Sequence, residues 1–249
     1  MTSVDVANLH AAILADPSDL AARYAYADAL DEAGNDHRAA FVRASLAGGH
    51  AAATDMLDPL TWWLWFGNPD QSQQEREKRL RVNVQAQADG VLVHVWAKGE
   101  RIHWGYQAII RNGLIDEFRG PISQWLEGVL DYHPVTVYRP SPVVQRGQPA
   151  RFRQYQNAAG MHTRLWQDQR VGRLHTLDMR AVCRAAGLDG YFLASHIHAF
   201  RPWRGLGRVL LPGNGTDDWR RYLTAQWSRV LTPPTRVEFG EPLPEEEAR

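Results

Sequence analysis

Asp16-Pro17-Ser18-Asp19-Leu20-Ala21-Ala22-Arg23-Tyr24-Ala25-Tyr26-Ala27-Asp28-Ala29-Leu30-Asp31-Glu32-Ala33-Gly34 reads as one helix with a signal at each end. Asp16 is placed to cap it, Pro17 suits the first helical position, and Asp19 lies where a carboxylate reaches back to the cap. Leu20, Tyr24, Ala27 and Leu30 fall on one face at helical spacing. Gly34 supplies the stop, because a residue without Cβ enters the left-handed conformation at little cost. Upstream, Val6, Leu9, Ile13 and Leu14 predict a helix over residues 4–15 that Asp16-Pro17 ends. Downstream, a third helix is predicted from Asp36 to Leu46, with Ala40, Phe41 and Ala44 on its inner face. Asp28 is placed to pair with Arg23 or Arg43, a contact that would fix helix register. Residues 1–48 therefore form a three-helix module.

The pattern Asp16-Pro17, Asp19, Arg23, Tyr26-Ala27-Asp28, Leu30, Glu32, Gly34 and Phe41-Val42-Arg43 resembles the bacterial repeat-companion domain family, over about residues 5–46. Ala29 and Ala40 depart from it, standing where the family usually has a tryptophan and an acid. The resemblance implies a short helical module of the kind found beside leucine-rich-repeat-like regions. Residues 113–138 resemble the segment immediately C-terminal to the module in those members. No enzymatic role is implied.

The remainder reads as a body over residues 55–241, joined by the small residues Gly48 to Thr54, which suggest a linker. Leu80, Val82, Val84 and Ala86 alternate with polar neighbours, Asp89-Gly90 is a hairpin signal, and Val91, Val93 and Val95 continue beyond it. Turns at Lys98-Gly99 and Asn112-Gly113 flank strands at 101–106 and 114–118, so residues 80–118 predict a β-meander. Leu114 to Phe118, a helix carrying Ile122, Trp125, Leu126, Val129 and Leu130, and the strand Val135 to Tyr138 then make one strand–helix–strand unit. Residues 208–239 repeat that order: Arg208 to Leu211, a helix carrying Trp219, Tyr222, Leu223, Trp227 and Val230, and Thr235 to Phe239. A helix is predicted from Leu177 to Ala186, closed by Gly187. The fold class is α+β: an N-terminal three-helix module, a β-meander, and two β-α-β-like units (114–138 and 208–239) on a mixed sheet.

At 249 residues and 44% apolar, the chain is long enough for a proper core. No apolar run approaches the ~20 residues that span a bilayer, and the first residues lack the layout of a signal peptide. No membrane partner is predicted. Cys183 is the only cysteine, which excludes an internal disulfide and favours a reducing cytoplasm. It sits between apolar neighbours and reads as a structural thiol rather than a nucleophile. Net charge is zero, yet residues 139–208 carry twelve Arg, no Lys and three Asp, a balance of +9. With 26 Arg against 2 Lys overall, that bias also fits a GC-rich coding sequence.

No P-loop, dinucleotide fingerprint or serine elbow is present, so no catalytic residue and no cofactor is predicted. His196 and His198 share a face if extended and are weak metal candidates. His162, His175 and Asp178 do not complete a ligand set with them. Ser195 points away from His196 and makes no triad. Two stretches suit interaction instead. Trp62, Trp63 and Trp65 cluster within four residues, as core anchors or as contact aromatics. Arg151, Arg153, Arg164, Arg170 and Arg173 are interleaved with aromatics, a pairing that suits single-stranded nucleic acid, an acidic protein, or the acidic segments of the chain itself. A protein partner of a non-enzymatic scaffold or accessory subunit is the leading expectation. A nucleic-acid-binding accessory protein comes second, and a metal-dependent enzyme third.

Overall fold

The computed structural model describes residues 3–57, 80–97, 105–120, 129–130, 132–140, 174–180, 206–213, 216–230 and 236–241. It is α+β: a cluster of N-terminal helices and a mixed sheet of eight strands whose order follows the chain. Two compact units divide the chain.

The first unit holds helices α1 (Ser3–Ala15), α2 (Leu20–Glu32), α3 (Asp36–Leu46) and α4 (His50–Asp55). It also holds strands β1 (Leu80–Gln87), β2 (Gly90–Ala97), β3 (Gly105–Arg111) and most of β4 (Leu114–Gly120). The expected helices form, with three corrections of detail. The N-cap of α2 is Asp19, whose carboxylate accepts from the Ala22 amide at 3.0 Å, while Asp16 Oδ1 accepts from the amide and hydroxyl of Ser18. Pro17 therefore stays outside the helix. The buried face of α2 is Ala22, Arg23, Tyr26, Ala27, Ala29 and Leu30, leaving Leu20 and Tyr24 half-exposed, because α1 and α3 flank it and take the adjoining stripe. On α3 the fully buried positions are Ala39, Phe41, Val42 and Ser45, whereas Ala40 and Ala44 are half-buried.

Both α2 and α3 end in a left-handed glycine. Gly34 (φ 77°) donates to Asp31 O while Asn35 donates to Leu30 O, and Gly48 (φ 75°) and Gly49 repeat the pattern on Ser45 and Ala44. The segment from Gly48 to Thr54 is not an open linker: its alanines form α4, with Ala53 fully buried.

The meander pairs β1 antiparallel to β2 and β2 to β3, with Val82 opposite Val95 and Val84 opposite Val93. Val91, Val93 and Val95 are buried, and the facing valines on the outer strand β1 are half-buried. The β1–β2 turn is Ala88-Asp89, one residue earlier than the sequence signal. Gly90 belongs to β2, where a Cβ would come within 2.5 Å of the Ile110 carbonyl. At Asn112-Gly113 the signal holds: φ values of 52° and 82° make the two-residue turn between β3 and β4. The third strand begins at Gly105, and residues 101–104 lie outside the described residues.

The second unit is a parallel ladder: β5 (Val137–Pro140), β6 (Thr176–Asp178), β7 (Arg208–Pro212) and β8 (Arg236–Gly240). At its start, Thr136 O accepts from the amides of His175 and Thr176, His175 O from those of Gly207 and Arg208, and Gly207 O from Arg236. Leu177 sits in β6, not in a helix, because β5 and β7 take its backbone groups on both sides. Between β7 and β8 runs α5 (Asp217–Val230), which buries Leu223 and Trp227 and leaves Tyr222 on the surface, stacked on Trp219 at 5.5 Å. The strand–helix–strand order expected over 208–239 is thus present. Of the companion unit, β4 and β5 are described, with Val129 and Leu130 helical; residues 121–128, Trp125 included, lie outside the described residues.

Candidate functional site

Two constellations of polar side chains stand out, one in each unit. In the first unit, Arg23 is almost wholly buried and is bonded to carbonyls only. Its Nη2 and Nε donate to Pro17 O at 2.9 and 3.3 Å, and its Nη1 to Asn112 O at 3.0 Å and Arg111 O at 3.4 Å. Because α2 begins after Pro17, that carbonyl is spared from the helix ladder and can hold the guanidinium from behind. From α3, the Ser45 hydroxyl accepts from the Gly113 amide at 2.9 Å, and Val42 lies 2.8 Å from where a Gly113 Cβ would stand. Arg23, Val42 and Ser45 together read the backbone of an Asn-Gly hairpin. Burial pulls the Arg23 pKa down, partly opposed by the charge of Asp116, yet a guanidinium remains protonated.

Beside this clasp, Arg111 gathers Asp89 (2.7 Å), Asp116 (2.6 Å) and the buried Glu117 (3.5 Å). Burial disfavours its charge, but the bonds to Asp89 and Asp116 outweigh it and raise its pKa. The hydrogen bonds from Arg111 hold the Asp89 carboxyl below its ordinary range. On the exposed side Arg43 pairs with Asp28 at 2.8 Å and Asp31 at 2.9 Å. Of the two partners expected for Asp28, Arg43 takes the role.

In the second unit, the carboxyl ends of β5 and β6 bring Arg139, Asp178 and Arg180 together. The Asp178 side chain is fully buried. It accepts from Arg180 Nε at 2.9 Å and Nη2 at 2.8 Å, with Arg139 Nη1 3.6 Å away. Arg180 Nη1 also donates to Glu241 O, and Gly213 and Gly240 face each other beside it through an amide–carbonyl bond of 2.7 Å. Arg220 of α5 donates to the Gly213 carbonyl. At the opposite end of the ladder Arg208 binds Glu238 at 2.6 Å. Nothing in the sequence marked Asp178 as the acid at this centre, because its partners are 39 residues upstream and two downstream.

Trp62, Trp63, Trp65, Arg151, Arg153, Arg164, Arg170, Arg173, His196 and His198 lie outside the described residues, as do Cys183, Ser195 and His162. His175 is exposed at the start of the ladder and Asp178 is buried at the end of β6, so these two are held apart. Among the described residues no group of three or more His, Cys, Asp or Glu is placed to hold a metal ion, and no helix is long and apolar enough to cross a membrane. Compared with protein-family models, curated proteins and solved structures, the chain finds no match.

Proposed function

We propose that this chain is a non-enzymatic interaction or scaffold protein of the repeat-companion type, working in the cytoplasm with a protein partner. The observation that carries the reading is how it uses charge. Each described arginine of the basic stretch 139–208 is turned onto a carboxylate of the chain itself: Arg139 and Arg180 onto Asp178, Arg208 onto Glu238. Cations used this way are poorly placed to take phosphates, and they favour carboxylate chemistry over nucleic acid. Family membership is part of the proposal. It is supported by the separate tasks of the motif residues: Asp19 caps, Arg23 grips the hairpin, Gly34 ends the helix and Arg43 pairs across helices. The single Cys183 fits a reducing compartment.

Affinity purification at native expression with quantitative mass spectrometry, run beside anisotropy titrations with single-stranded oligonucleotides, tests this. We expect a stoichiometric protein partner and weak oligonucleotide binding at physiological salt. Tight, salt-sensitive oligonucleotide binding that is abolished by replacing Arg151, Arg153 and Arg164 with Glu would reverse the assignment.

A further inference from the structure

Four elements of the first unit converge on a buried imidazole. His133 is 1% exposed, in a turn where its amide donates to Val129 O and its carbonyl accepts from the Val135 amide, both at 2.9 Å. Around it, Val129, Leu130 and Val135 are buried as well. The next residue back, Tyr132, presents its carbonyl to His10 Nε2 of α1 at 2.8 Å. The His10 ring lies 5.7 Å from the Tyr26 ring of α2, and the Arg38 guanidinium of α3 lies 5.9 Å from the same ring. The charged and titratable groups facing His133 are therefore Arg38 and His10, with Tyr26 in contact with both.

We propose that His133 is an acid-sensitive latch, which keeps the turn at residues 129–135 packed on the helical module while its imidazole is neutral and releases it on protonation. The driving force is electrostatic. A proton on His133 would sit in a dry site beside the permanent charge of Arg38. Opening the turn returns the ring to water, where protonation is free of that penalty. His10 adds to the load. Once protonated it still donates to the Tyr132 carbonyl, so its own bond survives, but it brings a second cation to the cluster. Burial first, then Arg38 and His10, hold the His133 pKa well below its ordinary value. The stabilisation from a neutral His133 is therefore complete above the ordinary histidine value of about 6.5 and is lost as pH falls below it toward the depressed folded value. Release uncovers Val129, Leu130 and Val135, which makes an apolar surface conditional on acidity. This device goes beyond the interaction reading and stands without it.

Amide hydrogen exchange on the full chain, corrected for intrinsic rates, tests the latch between about pH 7.5 and about pH 5.5. We expect the amides of residues 129, 130, 132, 133 and 135 to lose protection by up to about tenfold per pH unit below about 6.5, while the β1–β2 ladder stays protected. We expect His133→Leu to abolish the step. Loss of protection everywhere at once, or a step that persists in His133→Leu, would overturn the proposal. Should that variant fail to fold, carbon-13 histidine resonances of the unaltered protein decide. A His133 ring still neutral where surface histidines are half-protonated supports the latch, and a ring that titrates at its ordinary value refutes it.

Discussion

Gly113 is the residue on which the first unit turns. Its φ of 82° suits glycine, and a Cβ there would meet Val42 at 2.8 Å. Gly113→Ala combines backbone strain with a clash against α3, so we expect a loss of about 2–3 kcal/mol in chemical denaturation. Arg23 acts on the other side of the same turn. Replacing it with Met keeps the aliphatic bulk but leaves the carbonyls of Pro17 and Asn112 without this donor, and should lower stability by about 2–4 kcal/mol. Lys in its place should recover only part, since one ammonium cannot span the same fork of carbonyls. Arg111→Met leaves the buried Glu117 and its neighbour Asp116 without their shared cation. A loss of about 3–5 kcal/mol is expected. In that variant the Asp89 carboxyl should also rise toward its ordinary value of 3.8 in an NMR titration, because the hydrogen bonds from Arg111 are what depress it. In the unaltered protein, the stabilisation linked to Asp89 is present above that value and disappears as pH falls through the lower folded one.

Among the elements, α2 separates what local sequence can say from what packing decides. Its existence, its glycine stop and its neighbours were legible, because caps and periodicity are short-range physics. The choice between two aspartates as the cap was not, since it depends on Pro17 being needed as an acceptor for Arg23. Asp19→Ala should therefore cost about 1 kcal/mol of stability, whereas Asp16→Ala leaves the helix cap in place and should cost less in the same thermal melts. The buried face of α2 escapes the sequence for a related reason: Tyr24 and Tyr26 look alike there, and only the flanking helices choose between them. Strand β6 was hidden altogether. Three residues are too few to reveal a period of two, and Thr176 and Leu177 are strand because ready-made edges lie on both sides. The clasp and the Asp178 centre were equally invisible, as each joins residues far apart in the chain through backbone groups that carry no sequence signature. Half of the clasp was nonetheless in view, for Asn112-Gly113 announces its own turn.

At the scale of the whole molecule, a formal charge of zero conceals local matching. The described arginines of the basic stretch are neutralised within their own ladder, so high salt should alter thermal stability little. Exposed pairs such as Arg208–Glu238 contribute only about 0.2–1 kcal/mol each, and the buried Asp178 centre is poorly screened. The ladder has a further property that concerns time rather than energy. From β5 to β8, each strand lies beside the one made just before it. A ribosome releasing this chain would deliver every strand to an edge already in place, with no later segment needed to complete an earlier pairing. Assembly can then keep pace with synthesis, and an extra turn appended after β8 would find its template waiting.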